Sequence, residues 1–300
     1  MIIRKLLLEQ KGSALILISL AMTALLGIVS LVTDVGLVYV SKFNLVNAVD
    51  AAALAGTQEL PDRPQKAKEV AKNYAIANGV NENLDIELLN DYSLKVHASR
   101  EIDLLFAKVI GFNKGFVSHE AIAQVAPIIK TSGVVPLGLE KQELKFGEQY
   151  NLKVGAGAAE TGWFGALALG GSGASRYEDN LTYGYKETLQ IGDIVEVENG
   201  NMSNPTKRAI DDRIFSCDHY PYCTVDKFDR NCRRLVKIPI VEVLNKKSVR
   251  IVGFTMFLLD GVMGQGKDCY VKGKFVKTII PGEVSTEAEN FGLLGVRLIE

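Results

Sequence analysis

From Gly12 to Thr33 the chain runs for twenty-two residues without a formal charge, bracketed by Lys11 and Asp34. A helix rises about 1.5 Å per residue, so roughly 20 apolar residues cross about 30 Å of hydrocarbon. Residues 13–33 are therefore predicted to form one transmembrane helix. The helical pattern does not stop there. It continues through Gly36, Tyr39, Phe43, Val46, Ala48, Ala51, Ala52 and Ala55, with no proline before Pro61, which predicts one long helix leaving the bilayer. The tail Ala48-Val49-Asp50-Ala51-Ala52-Ala53-Leu54-Ala55-Gly56 offers a slim face for close packing, with Gly56 as the expected C-terminal cap.

Past Pro61-Asp62-Arg63-Pro64, residues 65–78 place Ala67, Val70, Ala71, Tyr74 and Ala75 on one helical stripe. Alternation then predicts strands over 85–89 and 93–99 about Asn90-Asp91, a helix over 102–110 closed by Gly111, and a third strand over 116–125. Helix, strand, strand, helix, strand is the order of a small α+β layer. Residues 127–136, bounded by Pro127 and Pro136, read as a linker. Beyond them, β-branched and aromatic runs at 163–169, 188–198, 235–243, 249–259 and 270–280 predict a β-rich barrel or sandwich. One helix interrupts them at 206–215, with Asn204 as its cap and Pro205 at its first position. The expected organisation is a tail (1–12), a membrane span (13–33), a pilin-like α+β domain (34–126), the linker (127–136) and a β-rich domain (137–300), α+β overall.

Charge decides how the span is used. A secretory signal would explain Arg4 and Lys5 before an apolar run and the small-residue site Ala53-Leu54-Ala55. The run is longer than the roughly 7–15 residues of a signal core, however, and Asp34, Lys42 and Asp50 separate it from that site. A retained anchor is expected. Arg4, Lys5 and Lys11 precede the span and only Lys42 closely follows it, so the N-terminus is expected in the cytoplasm and the bulk of the chain outside. With 34 basic against 35 acidic residues, no global field invites nucleic acid.

Candidate chemistry is concentrated late. Cys217, Cys223, Cys232 and Cys269 are an even set in a region expected to be exported, which suits disulfides. Cys217, His219, Cys223 and Cys232, or distant Cys269, also supply thiolate and imidazole ligands for zinc, although their spacing matches no standard knuckle. Free thiols are the third alternative. The glycines from Gly155 to Gly173 lack the Gly-Lys-Ser/Thr of a phosphate loop and predict tight strand turns. His97 and His119 fall on predicted strands, where a solvated or hydrogen-bonded structural role is the default. No cofactor motif and no set of acid, base and nucleophile is recognisable, so enzymatic activity is not expected.

The ordered residues Glu9-Gln10-Lys11-Gly12-Ser13-Ala14, the apolar span, Asp34-Val35-Gly36-Leu37-Val38-Tyr39 and Asn47-Ala48-Val49-Asp50-Ala51-Ala52-Ala53-Leu54-Ala55-Gly56 resemble the N-terminal region of TadG-like proteins of the Tad/Flp pilus-assembly system. The resemblance covers about the first sixty residues. It implies a single-pass bacterial envelope protein that assists or anchors a surface pilus, with the membrane and other pilus-assembly or pilin-like proteins as partners. No acid follows within the span as in processed pilins, and no Asp-x-Ser-x-Ser metal loop is found. Asp34, Gly36, Tyr39 and Asp50 are the expected interaction positions. A surface adhesin, or a tethered enzyme using the Cys/His loop, are the rival readings.

Overall fold

The computed structural model describes residues 10–153, 164–198, 200 and 202–299. Two compact units divide it, Met1–Gln124 with Leu298–Glu300, and Val125–Arg297. The fold is α+β, a long apolar helix followed by β-rich structure.

The first unit opens with α1 (Gln10–Thr57), one uninterrupted helix of 48 residues. Its two halves differ in what they bury. Between Ala14 and Thr33 the side chains stand exposed on every side, Ser30 alone being half-buried, as a helix long and apolar enough to cross a membrane would be. Its hydroxyls are satisfied internally. Ser19 donates to the Leu15 carbonyl at 2.7 Å, Thr23 to Ser19 at 2.9 Å, Ser30 to Leu26 at 2.6 Å and Thr33 to Val29 at 2.8 Å, so none would enter hydrocarbon unpaired.

From Asp34 onward one face turns inward, burying Leu45, Ala48, Val49, Ala52, Ala53 and Ala55. Against it pack α2 (Pro64–Ala77), which buries Ala67, Ala71 and Ala75 one turn apart, and an antiparallel sheet of β1 (Leu84–Asn90), β2 (Ser93–Asp103) and β3 (Lys114–Thr131). Leu94, Val96 and Ala98 of β2 fill the core, as the alternation predicts. Gly56 does not cap α1, which runs through it to Thr57. A Cβ there would lie 2.6 Å from Leu94 Cδ2, 2.7 Å from the Ala67 carbonyl and 2.7 Å from Ala71 Cβ. The glycine is needed for close approach, not for a left-handed cap.

The helix expected over 102–110 is mostly absent. The β2/β3 ladder holds Ile102 and Asp103 opposite Gly115 and Lys114, so their backbone groups are committed to the sheet. Only Ala107–Ile110 coils, as one 3₁₀ turn closed by Gly111 at φ 94°. The expected linker is likewise strand through Thr131, because Ile128 is buried and pairs with Val284 while Lys130 and Thr131 pair with Gln190 and Leu189.

The second unit adds β4 (Leu137–Glu140), β5 (Gln149–Lys153), β6 (Phe164–Ala166), α3 (Ala174–Tyr183), β7 (Leu189–Gln190), β8 (Ile194–Glu196), α4 (Ser203–Phe215), β9 (Leu235–Asn245), β10 (Ser248–Met263), β11 (Tyr270–Val276), β12 (Thr278–Ile279), β13 (Glu283–Val284) and β14 (Leu293–Ile299). Its main sheet runs β5-β11-β10-β9-β4-β6, with β8 also beside β10, a half-barrel rather than a closed one. Leu139, Tyr177, Leu181, Ile210, Ile240, Phe257 and Phe275 form its larger core. The strand expected over 188–198 is broken into β7 and β8 at Gly192, φ 99°. The helix expected from Thr206 starts earlier, at Ser203, because the Met202 carbonyl accepts both the Thr206 N–H at 2.9 Å and its hydroxyl at 2.7 Å. Helix α3 was not expected. The glycine turns from Gly155 to Gly162 and Trp163 lie outside the described residues.

Candidate functional site

Each unit holds one arrangement of chemical interest. In the first, Asp34 is the first charge after the apolar run, and its side chain is turned into the unit, 6% exposed. Oδ1 accepts the Leu105 N–H at 2.7 Å, and Oδ2 accepts those of Phe106 at 3.1 Å and Ala107 at 2.7 Å. The carboxylate caps the 3₁₀ turn across seventy residues of sequence. Burial alone would raise its pKa, but the three backbone donors and nearby Lys108 outweigh this and hold it below the ordinary value.

Asp50 is also engaged within the chain, its Oδ1 lying 2.9 Å from His119 Nε2, the hydrogen-bonded role expected for that histidine. Gly36 and Tyr39 differ. Both face outward, Tyr39 71% exposed, beside exposed Val40 and Phe43. Among the four expected interaction positions, then, two carboxylates organise the unit and two residues present a surface.

The loop that Asp34 clamps escaped sequence reasoning. Leu105, Phe106, Val109, Ile110 and Phe112 are all exposed on it, Val109 by 88% and Ile110 by 74%, and Phe116 is exposed on the start of β3 beside it. The available signal was an apolar cluster with no face to bury it.

In the second unit, the segment between α4 and β9 brings Cys217, His219, Cys223 and Cys232 together, with their four ligand atoms within 4.8 Å of one another. Cys217 Sγ lies 3.6 Å from His219 Nδ1 and 3.5 Å from Cys232 Sγ. Cys223 and Cys232 are buried. Several contacts fix the frame: the Cys217 N–H donates to the Ile214 carbonyl, Cys232 N–H to Asp229, and Leu235 N–H to Cys232. Buried Arg234 donates to the carbonyls of Leu259 at 2.8 Å and Cys223 at 2.9 Å, reaches Asp260 at 2.9 Å and stacks 4.1 Å over the Tyr222 ring. Arg234 was not singled out from the sequence, and Asp229 was expected only as a solvated loop carboxylate.

The thiols are chemically unequal. Burial raises the Cys217 pKa, but His219, Cys232 and the backbone N–H groups of His219 and Cys223 bring it down to about 6. Burial and the neighbouring thiols push Cys232 up to about 12. The Cys217 interaction raises the pKa of His219 in turn. All four cysteines are free thiols, so the expected disulfides are not found. Cys269 stands apart, buried in the core with Tyr177 and Ile210. Asn180, in a glycosylation pattern, is structural, its amide donating to the Leu169 carbonyl at 2.9 Å; the second pattern, at Asn201, lies outside the described residues.

Among known proteins, no curated protein and no solved structure matches the chain. A family model does. Residues 12–59 match the Tad family, Flp pilus-assembly TadE/G-like, and the N-terminal region of this chain, nearly the whole of α1, is therefore TadE/G-like.

Proposed function

We propose that this protein is a single-pass envelope protein that assists the assembly or anchoring of a Tad/Flp-type pilus, using α1 as both anchor and partner-binding element. The TadE/G-like match over residues 12–59 carries this reading. The form of α1 supports it: a lipid-compatible half with internally satisfied hydroxyls leads directly into a half that builds the first unit. Gly36, Tyr39, Val40 and Phe43, exposed just past the span, suit close helix packing against another envelope protein. The basic residues before the span support an orientation with the remainder of the chain outside the cytoplasm, and the reading is of a protein without enzymatic activity.

Deletion of the gene followed by counting surface pili tests the reading. Loss of pili, restored by the full chain but not by a version carrying Tyr39→Ala, Val40→Ala and Phe43→Ala, is the expected result. Undiminished piliation after deletion would remove the proposed role.

A further inference from the structure

We propose that Cys217, His219, Cys223 and Cys232 form a closed, structural zinc site that shapes the 216–234 segment. Zinc binds thiolate sulfur at about 2.3 Å and imidazole nitrogen at about 2.0–2.1 Å in a tetrahedron, which sets sulfurs about 3.8 Å apart and sulfur and nitrogen about 3.5 Å apart. The observed 3.5 Å between Cys217 and Cys232 and 3.6 Å between Cys217 and His219 match those edges. No separation among the four exceeds 4.8 Å, so the widest must close by about 1 Å to reach the tetrahedral edge. Two cysteines would suffice for a disulfide; three with a histidine make a complete soft-ligand set without an open position, which is a structural rather than catalytic donor set.

The groups around the four ligands fit as well. Nδ1 of His219 faces the Cys217 sulfur while Nε2 is turned to Asp229 Oδ2, 3.9 Å away, so that closing by about 1 Å makes the carboxylate–histidine hydrogen bond that fixes a metal-binding imidazole. A need for such a site is evident. The segment from 216 to 234 contains no helix or strand, and irregular connections longer than about 12–15 residues are uncommon in compact domains without some device to order them.

Full-length protein, purified reduced in detergent and loaded with Zn²⁺, tests the site by metal analysis and thiol labelling. The expected result is one zinc per chain, retained in Cys269→Ser, lost in Cys223→Ser and in Cys232→Ser, and bound about 10–100-fold more weakly in Asp229→Ala. His219→Cys, which keeps four soft ligands, should retain zinc where His219→Ala does not, separating ligand loss from misfolding. Failure of Zn²⁺ to bind or to shield the thiols in wild type would overturn the proposal, as would a Cys217–Cys232 disulfide mapped in protein isolated without reductant.

A separate observation concerns the loop clamped by Asp34. Resting on the reading of α1 as a membrane span, we infer that residues 105–116 dip into the lipid interface as a second contact with the same bilayer. Asp34 marks the level where the apolar run ends, and its carboxylate holds the amides of residues 105–107 at that level. There Leu105, Phe106, Val109, Ile110 and Phe112 are exposed together, with exposed Lys108 among them and Lys114, paired with Glu101, at their edge. Apolar side chains for the acyl boundary, with long cationic side chains for phosphate headgroups, are the composition of an interfacial element.

The full chain in lipid nanodiscs, as Phe112→Trp in a Trp163→Phe background, reads this directly. Lipids brominated near the headgroup should quench the tryptophan and its emission should shift to the blue. A Leu25→Trp probe in the same background, about 13 Å deeper along α1 than Asp34, is read with lipids brominated deep in the acyl chains and reports on the span itself. Quenching at Leu25→Trp without quenching at Phe112→Trp would overturn the loop inference, leave the anchor standing and point to a protein partner for the patch. No quenching at either position would overturn the anchor and the loop inference together.

Discussion

Two glycines of α1 should respond to alanine with opposite sign. At Gly56 the added methyl group meets the Ala67 carbonyl and Ala71 Cβ at 2.7 Å and Leu94 Cδ2 at 2.6 Å, against an ordinary carbon contact of about 3.5–4.0 Å. Leu94 can rotate away. The carbonyl and the Cβ are fixed to the α2 backbone, so α1 and α2 must separate by about 1 Å, loosening the packing of Ala52, Ala53 and Ala71. Overpacking of this kind costs about 1–3 kcal/mol, and here the upper part of that range applies because rigid backbone is involved. Replacing a helical glycine returns about 0.5–1 kcal/mol of backbone entropy at most, Gly56 being in the last turn of α1. The net is a loss of about 1–2 kcal/mol, or a factor of about 5–30 in the folded/unfolded ratio. At Gly36 no atom lies within 4 Å of the new methyl group, so only the entropy gain of about 0.5–1 kcal/mol remains. Hydrogen-exchange mass spectrometry of the full chain in detergent reads both, through the protection of core peptides around Ala48–Ala55 and β2. A Gly56→Ala protein as protected as wild type would refute the close-approach role and restore Gly56 as an ordinary helix residue.

Further outcomes follow from particular contacts. Asp34→Ala should abolish amide protection at 105–107 while leaving β1 and β2 protected, and hydrogen exchange of those peptides checks it. In wild type the same protection should depend on pH: the folded Asp34 pKa is depressed, so its contribution is complete above the ordinary carboxylate range and is lost as the pH falls through the depressed folded value. Arg234→Lys should destabilise the second unit by about 3 kcal/mol, seen as a lowered denaturation midpoint, because a lysine cannot satisfy two carbonyls and Asp260 together and leaves buried acceptors unpaired. A periplasmic reporter fused after Arg63, in the turn before α2, should be active only outside the cytoplasm; activity inside would reverse the orientation.

The sequence by itself determined the elements whose pattern is local. Twenty-two uncharged residues specify an apolar helix long enough to cross a bilayer whatever follows, and the 3.6 and 2.0 periodicities placed α1, α2, β1 and β2 close to their observed bounds because each has one face that must be buried. Cysteine and histidine types marked the segment in which four possible ligand atoms converge. Position in space was another matter. That Gly56 sits under α2, that Asp34 captures amides about seventy residues away, and that three cysteines and one histidine converge while Cys269 does not are all consequences of which elements meet, and spacing along the chain carries no record of that. The failures share this cause. Residues 102–103 had helix-compatible neighbours but were claimed by the β2/β3 ladder, and the supposed linker became strand because Ile128 found a buried place and its backbone found partners in β7 and β13. Local propensity is worth tenths of a kcal/mol per residue, whereas an unpaired buried backbone group or a misplaced core side chain costs about 1–3 kcal/mol, so where the two disagree the tertiary structure decides.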